Sequence, residues 1–188
     1  MVIRFKMKKE LSILGLDVST KTGAVMFSRH GEVVVQKELV LKPLQNDKLV
    51  HRMYRAVELF HSVRDLVVIE RPGLVVFEGY GYANAHTLAL LVELGSMARH
   101  ACIYSKVPYI DVAPPTLKKF VTGTGNAKKD QMRLAVYKKW KFEHDSDNVV
   151  DAYALARLGQ GYAGIVPPGN KAEKEALKKV WESSPKYG

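Results

Sequence analysis

Residues 13–23 read ILGLDVSTKTG. They lie in a short β-rich run, residues 11–18, that carries a carboxylate, Asp17, near its end, and a polar turn, residues 19–23, follows. A carboxylate interrupting a buried β run is costly unless it is paired or coordinates a metal. Beyond the turn come a second strand at 24–28, a turn at His30-Gly31 and a third strand of alternating character at 32–41. Three strands this close in sequence predict an antiparallel meander.

Further along, Asn46 or Asp47 is placed to cap a helix running to about residue 63, with Leu49, Met53, Val57 and Phe60 on one stripe. Pro72 and Gly73 break the chain ahead of a buried-type strand at 74–78. Asn84 opens a long helix with Leu88, Leu91, Val92 and Gly95 at helical spacing. A fifth strand at 107–112 stops at Pro114-Pro115, and residues 116–121 form a short helical turn. The loop TGTGNA at 122–127 precedes a helix at 128–140 capped by Asn126, and Ser146 or Asp147 starts another helix reaching about residue 158. From Gly159 the composition shifts to Gly, Pro and Lys, with a terminal helix at 171–181. The order βββαβαβα predicts an α/β fold: a mixed five-stranded sheet, meander plus parallel strands, flanked by helices. Residues 1–160 read as one domain and 161–188 as a basic extension.

The 188 residues suffice for a single core, and 47% apolar with 26% charged residues is ordinary for a folded domain. One cysteine, Cys102, excludes an internal disulfide framework or a Cys-rich zinc site and suits a reducing compartment such as the cytoplasm. No stretch approaches the ~20 apolar residues of a membrane span, so no membrane partner is expected. The basic residues 1–10 lead into an apolar run that contains Asp17 and lacks a small-residue cleavage site, which reads as a strand rather than a signal peptide.

Lys and Arg number 29 against 19 Asp and Glu, a formal charge of +10. Between residues 99 and 141 stand ten Lys or Arg and two acids, Asp111 and Asp130. A solvated face explains such a run on one helix. This one spans a helix end, a strand, a glycine loop and another helix, which fits binding to phosphates.

Four acids stand out against that background: Asp17, Glu78 in VVFEGYGY, and Asp147 and Asp151 in HDSDNVVDAYALA, four apart on one helix face. Singly, Asp17 reads as a turn cap, Glu78 as an edge-strand charge and Asp147 as an acid favoured at a helix N-terminus. Asp151, within an apolar helix, is harder to assign to the surface. Together, with the first and fourth strands adjacent, they predict one cleft for hard divalent cations, Mg²⁺ with Mn²⁺ as substitute, two per site, and phosphodiester chemistry. A carboxylate pair for glycoside chemistry leaves the basic surround unexplained. The Gly123-Thr124-Gly125 loop permits close approach of backbone to a phosphate, flanked by Lys118 and Lys129. Tyr80 and Tyr82 can stack on unpaired bases or pack on a neighbouring helix. His144 is a candidate to assist metal or water.

ILGLDVSTKTG, VVFEGYGYAN, VAPPTLKKFVTGTGNAKKDQM and DNVVDAYALA together resemble a RuvC-type Holliday junction resolvase of the ribonuclease H-like superfamily, phage-borne forms included, over residues 11–159. The resemblance implies a ribonuclease H-like fold, a homodimer, no small-molecule cofactor, and Mg²⁺-dependent paired symmetric nicking of four-way junctions that leaves 5′-phosphate ends. It carries the metal-binding role to Asp17, Glu78 and Asp151. The fourth acid falls to Asp147, with Asp145 as an alternate, because Asn148 stands where the family often has its acid. Lys118 and Lys129 match DNA-contacting lysines, with Lys119 and Lys128 as alternates. Neither Tyr80 nor Tyr82 stands at the offset of the family's junction-centre aromatic. The apolar stripe of the helix after Asn84, with Gly95, Ser96 and Ala98, suits a dimer face or core packing.

DVSTKTG also resembles the phosphate loop of sugar kinases and actin-like ATPases, which need two lobes that 188 residues cannot supply. Two readings stand beside the resolvase: a non-catalytic nucleic-acid-binding module of the same fold, and a broader nuclease for Y-forks and flaps. The three core carboxylates argue against the first. Nothing in the sequence separates the second.

Overall fold

Apolar residues alternate between two faces along β1 (Ile13–Asp17): Ile13 belongs to one buried cluster, Leu14 and Leu16 to the other. β2 (Lys21–Phe27) pairs antiparallel with β1, and β3 (Val33–Val40) antiparallel with β2. β4 (Leu74–Glu78) lies parallel to β1, and β5 (Tyr109–Val112) parallel to β4. The sheet order is β3-β2-β1-β4-β5, the mixed five-stranded sheet expected from the sequence. The computed structural model describes residues 11–42, 48–81 and 84–184.

Two helices cover one face. These are α1 (Leu49–Glu70) and α2 (Ala85–Tyr104), whose buried residues join Leu14, Leu16, Val75 and Phe77. The other face carries α3 (Pro114–Thr122), α4 (Lys129–Trp140), α5 (Asp147–Tyr162) and α6 (Lys171–Ser183). Among the described residues no helix is long and apolar enough to cross a membrane.

α5 is the central helix, with eleven of its 16 residues buried. It lies directly on the sheet because two strand positions lack a side chain. A Cβ on Gly15 would strike the backbone of Ala152 and Ala156, and one on Gly23 the backbone of Asn148. Ser146 caps α5, its hydroxyl accepting from the Val149 amide.

Several local expectations change. α1 runs to Glu70, and its buried stripe is Ala56, Leu59, Val63, Leu66 and Val67. Leu49, Met53 and Val57 of the expected stripe face outward, at 64%, 40% and 40% exposure, while Phe60 is half-buried. Lys48 stands at the α1 N-cap, and Asn46 and Asp47 lie outside the described residues. Pro114 and Pro115 open α3, since a first turn needs no proline N–H. Lys128, not Asn126, is the N-cap of α4, its amide donating to Gln131 Oε1 at 2.8 Å. Asn84 caps α2 as expected, accepting from the Thr87 amide at 2.9 Å. α6 buries Ala176, Leu177 and Val180 in the same cluster as α3, α4 and α5.

Candidate active site

Asp17 and Glu78 close two neighbouring parallel strands. Leu16 pairs with Phe77, so the next residue on each strand brings the two acids side by side at the carboxyl ends. Alternation turns both toward the α5 face, because their predecessors Leu16 and Phe77 belong to the α1–α2 side. Asp151, one turn into α5, comes down onto the same place.

All three carboxyl groups are pushed up. Burial is the main cause each time: Asp17 stands well above the usual range, Glu78 at about 7 and Asp151 at about 6. Mutual repulsion adds to it, from Glu78 and Asp151 on Asp17 and from Asp151 on Glu78. Lys118 offsets part of this at Glu78 and Asp151, and Lys129 at Asp17 and Asp151. Among the described residues no hydrogen bond contributes to any of the three shifts. Buried acids without such partners suit a hard divalent cation, whose charge would offset the repulsion. Among the described residues no three His, Cys, Asp or Glu side chains gather tightly enough to hold one ion.

A pocket of about 300 Å³ opens here, lined among others by Glu78, Asp151, Lys118, Lys129, Arg133 and Asp147. Lys118 comes from α3 and Lys129 from the first turn of α4, its side chain 78% exposed. Asp147 shares the pocket but is engaged differently. Arg133 Nη1 donates to its Oδ1 at 2.6 Å, and Lys129 Nζ lies 3.8 Å from its Oδ2. The Arg133 bond is the main reason that Asp147, alone of the four acids, is held below the usual carboxylate range. The sequence reading missed Arg133, though helical spacing from Lys129 places it on the same face.

The remaining candidates are dispersed. Lys119 points to the other side of α3 and pairs with Glu175 of α6 at 2.5 Å. Lys128 is exposed at the start of α4 and does not line the pocket. His144 is committed to the turn before α5: its Nδ1 accepts from the Ser146 amide at 3.0 Å and its carbonyl accepts from Arg133. The Asp145 carbonyl accepts from Arg133 at 3.3 Å, and Asn148 donates to Glu38 at 3.4 Å. Gly123 adopts a left-handed conformation as the C-cap of α3. Tyr80 packs on α2, its ring centroid 5.0 Å from the Arg99 guanidinium carbon, and remains 43% exposed. Tyr82 lies outside the described residues.

Known proteins resemble this chain in sequence and in fold. The family model described as crossover junction endodeoxyribonuclease RuvC matches residues 13–158. The crossover junction endodeoxyribonuclease RuvC of Carboxydothermus hydrogenoformans is 25% identical over 166 residues, 85% of this chain and 98% of that protein. Its counterpart from Chlamydia muridarum is 30% identical over 152 residues, 77% and 88% of the two chains. The solved structure of T. thermophilus RuvC in complex with Holliday junction substrate aligns with a TM-score of 0.62 at 15% identity, over 78% of this chain and 90% of that one. That likeness is one of fold, which is ribonuclease H-like. The matched segment includes both strand-end acids, the basic α3–α4 segment and Asp151, and the chain belongs to the RuvC family of crossover junction endodeoxyribonucleases.

Proposed function

We propose that this protein is a metal-dependent endonuclease that resolves four-way DNA junctions by paired symmetric nicks. The observation carrying this reading is the site itself: the desolvated carboxylates of Asp17, Glu78 and Asp151 beside Lys118 and Lys129, with Glu78, Asp151 and both lysines lining one open pocket. Asp17, Glu78 and Asp151 are the residues that would hold Mg²⁺, or Mn²⁺ in its place, with Asp147 as a fourth acid within the pocket. A divalent cation bound there supplies Lewis acidity at the phosphate and lowers the pKa of water.

The chain's own contribution is placement and charge. Lys118 and Lys129 draw the scissile phosphodiester into the pocket and balance its charge beside the acids. Lys128, exposed at the head of α4, extends the basic track, and Tyr80 offers a half-exposed ring near the pocket. In the overall reaction water adds to phosphorus and the bond to the 3′ oxygen breaks, leaving a 3′-hydroxyl and a 5′-phosphate. Residues 1–160 form the nuclease unit, and the segment 161–188 braces it through α6.

Paired nicks need two sites. The outward faces of α1 and α2, with Leu49, Val50, Met53, Val57 and Val92 each at least 38% exposed, support a homodimer. Action in the cytoplasm fits the single buried Cys102.

The test is a nicking assay on a labelled four-way junction, a Y-fork and a linear duplex, with Mg²⁺, with Mn²⁺ and with chelator. Symmetric, chelator-sensitive nicks on the junction alone are expected. Equal cutting of the fork would establish a broader debranching nuclease, and tight binding without cutting would establish a binding module.

A further inference from the structure

Arg99 of α2 points across to the end of β4, where Glu78 stands. Its guanidinium makes four hydrogen bonds. Nε donates to Asp111 Oδ1 at 2.9 Å, Nη2 donates to the same oxygen and to the Glu78 carbonyl at 3.1 Å, and Nη1 donates to the Gly95 carbonyl at 2.9 Å. Its central carbon lies 4.8 Å from the Phe77 ring centroid and 5.0 Å from that of Tyr80. The side chain is only 12% exposed. One group therefore touches residue 77, residue 78 and residue 80, together with the neighbouring strand β5 and the helix behind them.

Gly95 makes room for this. A Cβ there would lie 2.6 Å from the Tyr80 hydroxyl and 2.8 Å from Arg99 Nη1. Gly95, which the sequence offered to a dimer face or to core packing, is buried and seats Tyr80 and Arg99 beside α2.

We propose that Arg99 is a positioning residue of the nuclease site, fixing the end of β4 so that Glu78 and the chain leading to Tyr80 keep their places. It acts by geometry rather than by charge. The groups that shift Glu78 are Asp151 and Lys118, with burial, and Arg99 is not among them. Its charge is taken up by Asp111. A planar fork with five N–H donors can serve four bonds to three acceptors at once, whereas a lysine ammonium cannot.

The inference rests on the nuclease reading, and the experiment separates the two. Arg99→Lys and Asp111→Asn are compared with wild type in the full-length protein. Amide exchange at Gly79, whose N–H donates to the Val112 carbonyl at 2.8 Å, is measured without metal. Mn²⁺ binding to the DNA-free protein is measured by electron paramagnetic resonance. In Arg99→Lys, exchange at Gly79 should accelerate at least tenfold relative to Leu16, Mn²⁺ affinity should fall at least tenfold, and junction affinity should stay within threefold. Asp111→Asn, which removes only the outer anchor, should give a smaller change in the same direction. Unchanged Gly79 exchange in Arg99→Lys overturns the positioning role, as does an unchanged Mn²⁺ affinity beside a wild type that binds the ion. A wild type that neither binds Mn²⁺ nor nicks DNA refutes the nuclease reading instead, and the exchange measurement still decides for or against Arg99.

Discussion

Glu78→Gln should make the metal-free protein more stable above pH 7. Burial and Asp151 raise the Glu78 carboxyl from 4.5 to about 7. At about 1.4 kcal/mol per pH unit, that is about 3 kcal/mol of unfavourable ionisation in the folded state. The sign follows from proton binding. Between pH 4.5 and about 7 the folded protein holds a proton that the unfolded chain has released, so stability falls as pH rises through that window and stays low above it. Glutamine keeps the shape and removes the charge. In chelator at pH 8 the variant should melt about 6–12 °C above wild type, taking ~2–4 °C per kcal/mol for a chain of this size. At pH 4 both forms are neutral and the difference should vanish. Thermal denaturation followed by circular dichroism at pH 4, 5.5 and 8 is the assay. Added Mg²⁺ should raise the wild-type midpoint and leave that of the variant nearly unmoved. The variant should lose nicking while still binding junctions. Equal or lower stability of Glu78→Gln at pH 8 would refute the desolvation argument and the electrostatics built on it.

Lys118→Ala should slow nicking at least tenfold with a change in junction affinity below about fivefold, since one phosphate contact among many carries little of the binding; single-turnover kinetics beside gel shifts measure both, and wild-type rates would remove Lys118 from the site. Asp147→Asn breaks a half-exposed pair with Arg133, so at pH 7 it should cost at most about 1 kcal/mol. Because the Asp147 carboxyl is held down by Arg133, that stabilisation is present above its ordinary pKa and lost as pH falls through the lowered value, so chemical denaturation at pH 7 should show the difference and at pH 2 should not. Leu177→Ala in α6 should destabilise the whole domain by about 2–4 kcal/mol, because Leu177 is 6% exposed and packs in the core; a loss below 0.5 kcal/mol in urea denaturation would show that α6 folds apart from it.

The sheet and the acids were legible because each interrupts a pattern. An apolar run that ends in a carboxylate marks both Asp17 and Glu78, and strand alternation turns them to one side. α1 was misread because it is apolar on two faces. Periodicity finds both stripes, and only packing shows that Ala56, Leu59 and Val63 turn inward while Leu49, Met53 and Val57 turn out. Lys118 and Lys119 differ by about 100° around α3, so one faces the pocket and the other α6, a choice set by a helix some fifty residues downstream. Asp147 lines the pocket with Glu78 and Asp151, but its engagement by Arg133, a turn beyond Lys129, had no signal in the acid pattern itself. The seat of Tyr80 was out of reach, since it depends on Gly95 and Arg99 meeting residue 80 in three dimensions.

The pairing of α6 with the helices beneath it shapes the electric field. Glu175 takes up Lys119, and Glu173 takes up Lys139 at 2.8 Å. Two cations of the basic segment are thereby screened at the back, while Lys118 and Lys129 stay at the mouth of the pocket. Less of the segment's positive charge is thus left uncompensated on the α6 side, away from the carboxylates. A nucleic-acid backbone diffusing along the protein would then be drawn more to the pocket lysines than to the α6 side.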